Sequence, residues 1–182
     1  MATWNSRGLR GSALEELINM TNDFYRERNL ALVQKIPTPI TPVEFDKNSR
    51  QITKAYFEKD STVDYIGAVQ GIPVCFDAKE CSVDKFPLQN IHRHQVDFME
   101  KFEVQGGISF LLVYFTARSE CYYLPLRTLQ FFLKRTEEGH AKYFQADELE
   151  EKYRIGREGP ALLHYLEGIN TDLVERKNRK EA

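Results

Sequence analysis

The spacing of apolar residues divides the chain into a series of predicted elements. From Ser12 to about Arg28, Leu14, Leu17, Ile18, Phe24 and Tyr25 recur at helical intervals. Ser12 and Glu15 there form the S-x-x-E pattern of a capping box. Leu30 to Ile36 reads as a strand. The run PTPITP at 37–42 carries three prolines that favour a stiff, extended backbone. After the polar turn DKNSR at 46–50, a second extended run covers Gln51 to Glu58. Residues 37–60 therefore read as a two-armed projection, with Lys47, Arg50, Lys54 and Lys59 as its positive charges. A helix from about Leu88 to Phe102 is set by Leu88, Ile91, Phe98 and Phe102, and Gly106 and Gly107 end it. Ile108 to Phe115 is the near-continuous apolar run of a strand covered on both faces. Glu120 to Leu124 is its neighbour across a turn, and Pro125 to Lys134 restarts a helix through Leu126, Leu129, Phe132 and Leu133. DELEEKY and PALLHYLEG read as short helices, and 171–182 as a frayed tail. This order of helices and strands predicts an α/β fold with a central mixed β-sheet flanked by helices.

Between these elements lies DYIGAVQGIPVCFDAK, residues 64–79. With Gln70 and Gly71 as the central residues of a hairpin turn, Val69 faces Ile72 and Asp64 faces Asp77. Side chains alternate along a strand, so Lys79 shares the face of Asp77. Ile72, Val74, Phe76 and Ala78 then form one apolar face, while Pro73, Cys75, Asp77 and Lys79 form a mixed one. Directly opposed positions place Cβ atoms roughly 4.5 to 5.5 Å apart. Two carboxylates that close repel each other unless a positive group lies between them. A divalent cation would supply it, with the lysine beside it to hold or activate a nucleophile. An ordinary salt-bridged surface accounts for the same three residues, but a face mixing apolar and charged groups is usually half covered, which suits a cleft.

Composition narrows the partners. At 182 residues, with 42% hydrophobic and 12% aromatic content, the chain suits one folded domain. No apolar run approaches the ~20 residues that a membrane span needs, and none resembles a secretory leader. Cys75, Cys81 and Cys121 have no metal-ligand spacing and suggest reduced thiols in a cytoplasm. A net charge of −2 does not by itself announce a nucleic-acid binder, so any such role rests on local basic patches. Residues 1–11, with Arg7 and Arg10, read as a flexible basic arm. Gln95, on the apolar stripe of its helix, is either a core hydrogen-bonder or reaches into a site. Glu15 is explained by its capping box or by a site near the first helix. His92 and His94, two apart on a predicted helix, point about 200° away from each other and do not chelate one metal together.

An acid, twelve intervening residues and then Asp77-Ala78-Lys79 resemble the signature of the restriction-endonuclease-like, PD-(D/E)xK nucleases. The surrounding blocks extend the likeness: RGSALEELINMTNDFY at 10–25, KIPTP at 35–39, KAYFEKDSTVDYIG at 54–67, FDAKE at 76–80 and FPLQNIHRHQ at 86–95. In that order they resemble the RecU-type Holliday-junction resolvases over about residues 10–150. The resemblance implies a restriction-endonuclease-like core spanning 12–170 as a single nuclease domain, with a projecting stalk inserted at about 37–60. It implies a homodimer that uses Mg2+, with Mn2+ as a substitute, to nick two symmetric strands of four-way junction DNA in recombination and repair. A recombinase is the candidate protein partner. Asp64 and Asp77 match the metal-binding acids, with the backbone carbonyl of Ala78 as a third ligand. Lys79 matches the catalytic lysine, Glu15 the acid of the first helix and Gln95 the glutamine after the hairpin. Arg7, Arg10, Lys35, Lys47, Arg50, Lys54 and Lys59 would contact DNA. Asp77 stands where the family pattern has glutamate, and Val63 where it has threonine. Two other readings stay open: a non-catalytic DNA-binding or recombinase-modulating protein on this fold, and a nuclease of this fold acting on other DNA structures.

Overall fold

The computed structural model describes residues 13–57, 62–156 and 163–181. Arg7, Arg10, Ser12 and Lys59 lie outside the described residues.

The chain opens with helix α1 (Ala13–Glu27), which buries Leu14, Ile18, Thr21, Asn22 and Tyr25 along one stripe. Strand β1 (Leu32–Lys35) follows, then β2 (Ile40–Asp46) and β3 (Gln51–Phe57), which pair with each other as a separate antiparallel hairpin. Ile40, Val43, Phe45, Ile52, Tyr56 and Phe57 are all exposed on it. The predicted extended run through the prolines is thus half of this hairpin, with Pro42 at an irregularity in the ladder.

β4 (Tyr65–Val69) and β5 (Ile72–Cys81) form the central hairpin in the predicted register, from Val69 opposite Ile72 to Tyr65 opposite Phe76. Its turn is made by Gln70 (φ 48°) and Gly71 (φ 87°), both left-handed, as the twist of a two-residue hairpin requires. β6 (Lys85–Pro87), α2 (Arg93–Val104), β7 (Ile108–Phe115), β8 (Glu120–Pro125) and α3 (Leu126–Glu137) come next. β9 (Tyr143–Gln145), β10 (Arg154–Ile155) and α4 (Leu166–Glu181) complete the order. The six-stranded sheet runs β1-β4-β5-β7-β8-β10, with β5 and β7 parallel and every other neighbouring pair antiparallel, so the sheet is mixed and flanked by helices as expected.

Alternation along β5 sorts the core into two layers. Val74 and Phe76 join Leu14, Ile18, Phe110, Tyr123 and Ile169 on the face covered by α1 and α4. Cys75 joins Val96, Met99, Leu111 and Leu129 on the face covered by α2 and α3. Asp77 and Lys79 therefore point to the α2 side. Val63 is also buried in that second layer, where a methyl suits the site and a hydroxyl would need a partner.

Several expectations change. The helix expected from Leu88 breaks at Ile91 and His92: a single 3-10 turn (Leu88–Asn90) precedes α2, and His92 is extended as its N-cap. The sequence DELEEKY supplies only two 3-10 turns, at Ala146–Glu148 and Glu151–Tyr153. Of PALLHYLEG, residues 160–162 lie outside the described residues, and the helix begins only at Leu166. The tail expected to fray is instead α4, which runs to Glu181. Its reason is ionic: Asp172 is fully buried, bonded to Arg127, Arg176 and the Tyr123 hydroxyl. No helix among the described residues is long and apolar enough to cross a membrane, and all three cysteines are free and buried.

β1 lies so close to β4 that Gly67 has no room for a side chain. An added Cβ would come within 2.2 Å of the Leu32 carbonyl and 2.6 Å of the Val33 Cα, both backbone atoms. Gly67→Ala must push the edge strand away, and urea unfolding should show about 1–3 kcal/mol of lost stability with an unchanged m-value.

Candidate functional site

The site forms because β5 is twice as long as β4. The ladder between them ends at Tyr65 and Phe76, while β5 continues to Cys81. Asp77 is thus the first residue of β5 beyond its paired neighbour on that side, and side chains take over where the ladder stops. The Asp64 backbone N–H donates to Asp77 Oδ1 at 2.9 Å. The Ala78 backbone N–H donates to Asp64 Oδ2 at 3.0 Å. Each acid therefore holds the other's strand, and the two carboxylates sit on adjoining positions as the register demands. Asp64 is further fixed from behind, where its carbonyl accepts the Ile36 N–H at 2.7 Å.

Asp77 is fully buried. Its Oδ2 takes the Lys79 ammonium at 2.6 Å and the Gln95 side-chain N–H at 2.7 Å. Gln95 Oε1 turns the other way, accepting from Lys79 Nζ at 3.4 Å and from the His92 backbone N–H at 3.3 Å. Gln95 is the third residue of α2, so its amide both caps the helix and closes the site. The two readings of Gln95 thus coincide in one side chain. The helix start that brings it there follows from His92 leaving the helix, which apolar periodicity did not reveal.

One lysine offsets one of two buried or half-buried carboxylates. Burial, and next the repulsion of Asp77, push the Asp64 carboxyl up to about 6 from its ordinary 3.8. The bond from Ala78 and the charge of Lys79 only partly offset this. The cluster therefore carries more negative charge than its own residues neutralise, which is the condition a bound cation relieves. Among the described residues no three His, Cys, Asp or Glu converge into a complete protein cage. Two carboxylates, with a backbone carbonyl at Ala78, fit a hard cation that keeps several waters, and Mg2+ is such a cation. Aspartate has a shorter arm than the glutamate expected at position 77, and Asp77 still places its carboxylate within reach of the Asp64 backbone.

Glu15 stands on α1, over the opposite face of the sheet, where its Oε2 meets Lys35 Nζ at 2.6 Å. The α1 N-terminus is held by a residue that the sequence reading passed over: Glu80 Oε1 accepts the Leu14 N–H at 2.6 Å. Glu80 alternates with Lys79, so β5 serves the site with one face and anchors α1 with the other. Lys35 pairs across to Tyr65, next to Asp64, and so lies at the site's margin. Lys47 and Arg50 are exposed at the tip of the β2–β3 hairpin. Lys54, also exposed there, faces Glu44 at 3.8 Å. His92 and His94, expected to point apart, instead stack with ring centroids 5.5 Å apart and planes 11° from parallel, because His92 is not in the helix.

The profile of the family described as RecU, Recombination protein U, matches residues 9–171. A protein named Holliday junction resolvase RecU from Staphylococcus carnosus (strain TM300) is 39% identical over 173 residues, covering 92% of this chain and 83% of that one. Another of the same name, from Oceanobacillus iheyensis, is 44% identical over 142 residues, 76% of this chain and 72% of that one. Among solved structures, Archaeoglobus fulgidus Hjc, titled a Holliday junction resolvase from an archaeal hyperthermophile, aligns with a TM-score of 0.42 and 10% identity, covering 71% of this chain and 88% of that chain. Asp64, Asp77, Lys79 and Gln95 all fall inside the matched span, and with relatives this similar over most of their length the chain belongs to the RecU family of recombination proteins.

Proposed function

We propose that this chain is a structure-selective endodeoxyribonuclease that resolves four-way DNA junctions by hydrolysing phosphodiesters. The observation that carries this reading is the Asp64–Asp77–Lys79–Gln95 cluster, with its excess of negative charge beside an ammonium, in a chain whose relatives bear the name Holliday junction resolvase.

Asp64, Asp77 and the Ala78 carbonyl would hold Mg2+, with Mn2+ as a substitute. When bound, the cation lowers the pKa of a coordinated water and offsets charge on the phosphoryl oxygens. The residues do the rest. Gln95 and the Asp64 backbone N–H hold the Asp77 carboxylate in one orientation, so its position is set before substrate arrives. The Lys79 ammonium, held by Asp77 Oδ2 and Gln95 Oε1, would meet a phosphate at the partly exposed end of its side chain. Its charge is placed to offset the extra negative charge of the transition state and to orient the attacking water. Lys35 and the exposed Lys47, Arg50 and Lys54 would contact phosphates, which positions a duplex arm without reading its sequence. Two identical sites in a C2 homodimer would match the near two-fold symmetry of the junction and nick opposing strands.

The test is cleavage of a synthetic four-way junction in Mg2+, with duplex and flap DNA of the same sequence alongside. Wild-type protein should cut the junction faster than either control, and Asp77→Ala should cut none. Equal rates on all three substrates would sink the resolvase assignment. No cleavage by wild type would leave a DNA-binding protein on this fold.

A further inference from the structure

We propose that His92 and His94 form a second phosphate contact, seating the bound DNA strand beside the phosphodiester that reacts at Lys79. This inference rests on the nuclease reading above and extends it to two residues outside the metal cluster. Three observations carry it. His92 is joined to the reacting centre through one atom, since Gln95 Oε1 accepts both its backbone N–H and the Lys79 ammonium. The two imidazoles stack nearly parallel, and His92 is exposed and His94 half-exposed, so each limits the other's rotation while both stay within reach of a ligand from solvent. Neither ring has an acidic partner among the described residues. The carboxylates nearest in sequence are committed elsewhere: Arg93 takes Asp97 at 2.7 Å and reaches Glu100 at 4.0 Å.

A stacked imidazole pair linked through Gln95 to the Lys79 ammonium, with the local acids drawn off by an arginine, is prepared for an anion. A neutral imidazole presents one N–H and an imidazolium two, so either form donates to a phosphodiester oxygen. Such contacts fix register and orientation rather than sequence. The pair therefore contributes to how tightly and in which register the strand is held, and not to the bond-breaking step.

The experiment uses the full chain and a synthetic four-way junction. The double variant H92A/H94A should raise the KM for the junction about 10-fold and leave kcat within about 3-fold. Binding measured in Ca2+, where cleavage is suppressed, should weaken to the same degree, and its dependence on salt should become shallower by about one phosphate contact. H92Q/H94Q, which keeps an N–H donor at each position, should recover much of the affinity. Both variants keep the His92 backbone N–H that Gln95 Oε1 accepts, and a cooperative melt in EDTA checks that each is folded. Unchanged binding and KM, or a loss confined to kcat, would overturn the inference. A wild-type chain that binds the junction but does not cut it removes the nuclease reading, and the Ca2+ measurement then still decides the role of the histidines.

Discussion

Asp64→Asn should make the protein unable to cut DNA and, in EDTA at neutral pH, more stable than wild type. Both effects have one cause. Asp64 is held half-buried against the fully buried Asp77, which pushes its carboxyl up to about 6. Below about pH 3 it is protonated in the folded and unfolded states alike, and folding pays nothing for it. As the pH rises through 6 the unfolded chain already carries the charge freely, whereas the folded chain must accept it beside Asp77. The resulting cost levels off above pH 6 at about 3 kcal/mol, at 1.36 kcal/mol per pKa unit. Asparagine keeps an oxygen for the Ala78 N–H and carries no charge. Thermal melts in EDTA should therefore show the gap between variant and wild type widening from pH 4 to pH 7. Added Mg2+ should close or reverse that gap, since the cation stabilises the wild-type pair alone. Cleavage should fall by about 10³-fold or more, the several kcal/mol expected when a metal ligand is lost. A variant that melts below wild type in EDTA at pH 7 would show that the two acids do not repel as the geometry requires.

Asp172→Ala should cost about 3–5 kcal/mol of folding stability, the largest loss we expect from a single truncation in this chain. The carboxylate has no exposure and accepts from the Arg127 guanidinium, from the Tyr123 hydroxyl at 3.0 Å and from Arg176 Nε at 3.1 Å. Arg127 goes on to Glu175 at 2.5 Å and the Tyr153 hydroxyl at 2.6 Å, and Arg176 to Glu103 at 2.5 Å. Glu103 in turn accepts the Ser109 N–H at 3.1 Å. One aspartate thus ties α4 to β8, α3 and the end of α2. Alanine leaves the Tyr123 hydroxyl and two guanidinium groups short of a partner in a largely dry place. Urea unfolding measures the loss, and a change below about 1 kcal/mol would refute the network's role. Mg2+ binding, read as the shift in melting temperature, should be retained, because α4 packs on the face of the sheet away from the acids.

The central hairpin was legible because two simple rules act there together. A Gln-Gly pair between alternating apolar residues sets a two-residue turn, and period-2 alternation then assigns every partner, including the acids. β7, buried on both faces, was legible for a similar reason: burial writes itself into an unbroken apolar run. α4 was not, because its buried side is organised around a charged residue, Asp172, and no hydrophobic period announces a helix held by ion pairs. The start of α2 was misplaced for a related reason. Leu88 and Ile91 are buried, yet they belong to a 3-10 turn and its exit, and the cap is supplied by Gln95. β6, β9 and β10, at two or three residues each, are too short for alternation to be seen. At the site, the acids and the lysine could be placed by counting, but Glu80 as the anchor of α1 and the link from Gln95 to His92 depend on contacts between distant segments.

The reach of β5 past the end of β4 carries a rule for how this chain can vary. The two acids are separated by twelve residues that descend one strand and climb the other. A pair of residues added symmetrically about the turn lengthens both strands and leaves the acids facing each other. A single insertion or deletion within either strand slips the ladder by one position and turns one carboxylate to the wrong side of the sheet. Length changes between Asp64 and Asp77 are therefore tolerated only in even steps, or where a bulge absorbs the odd residue, while the loop after Cys81 is under no such parity.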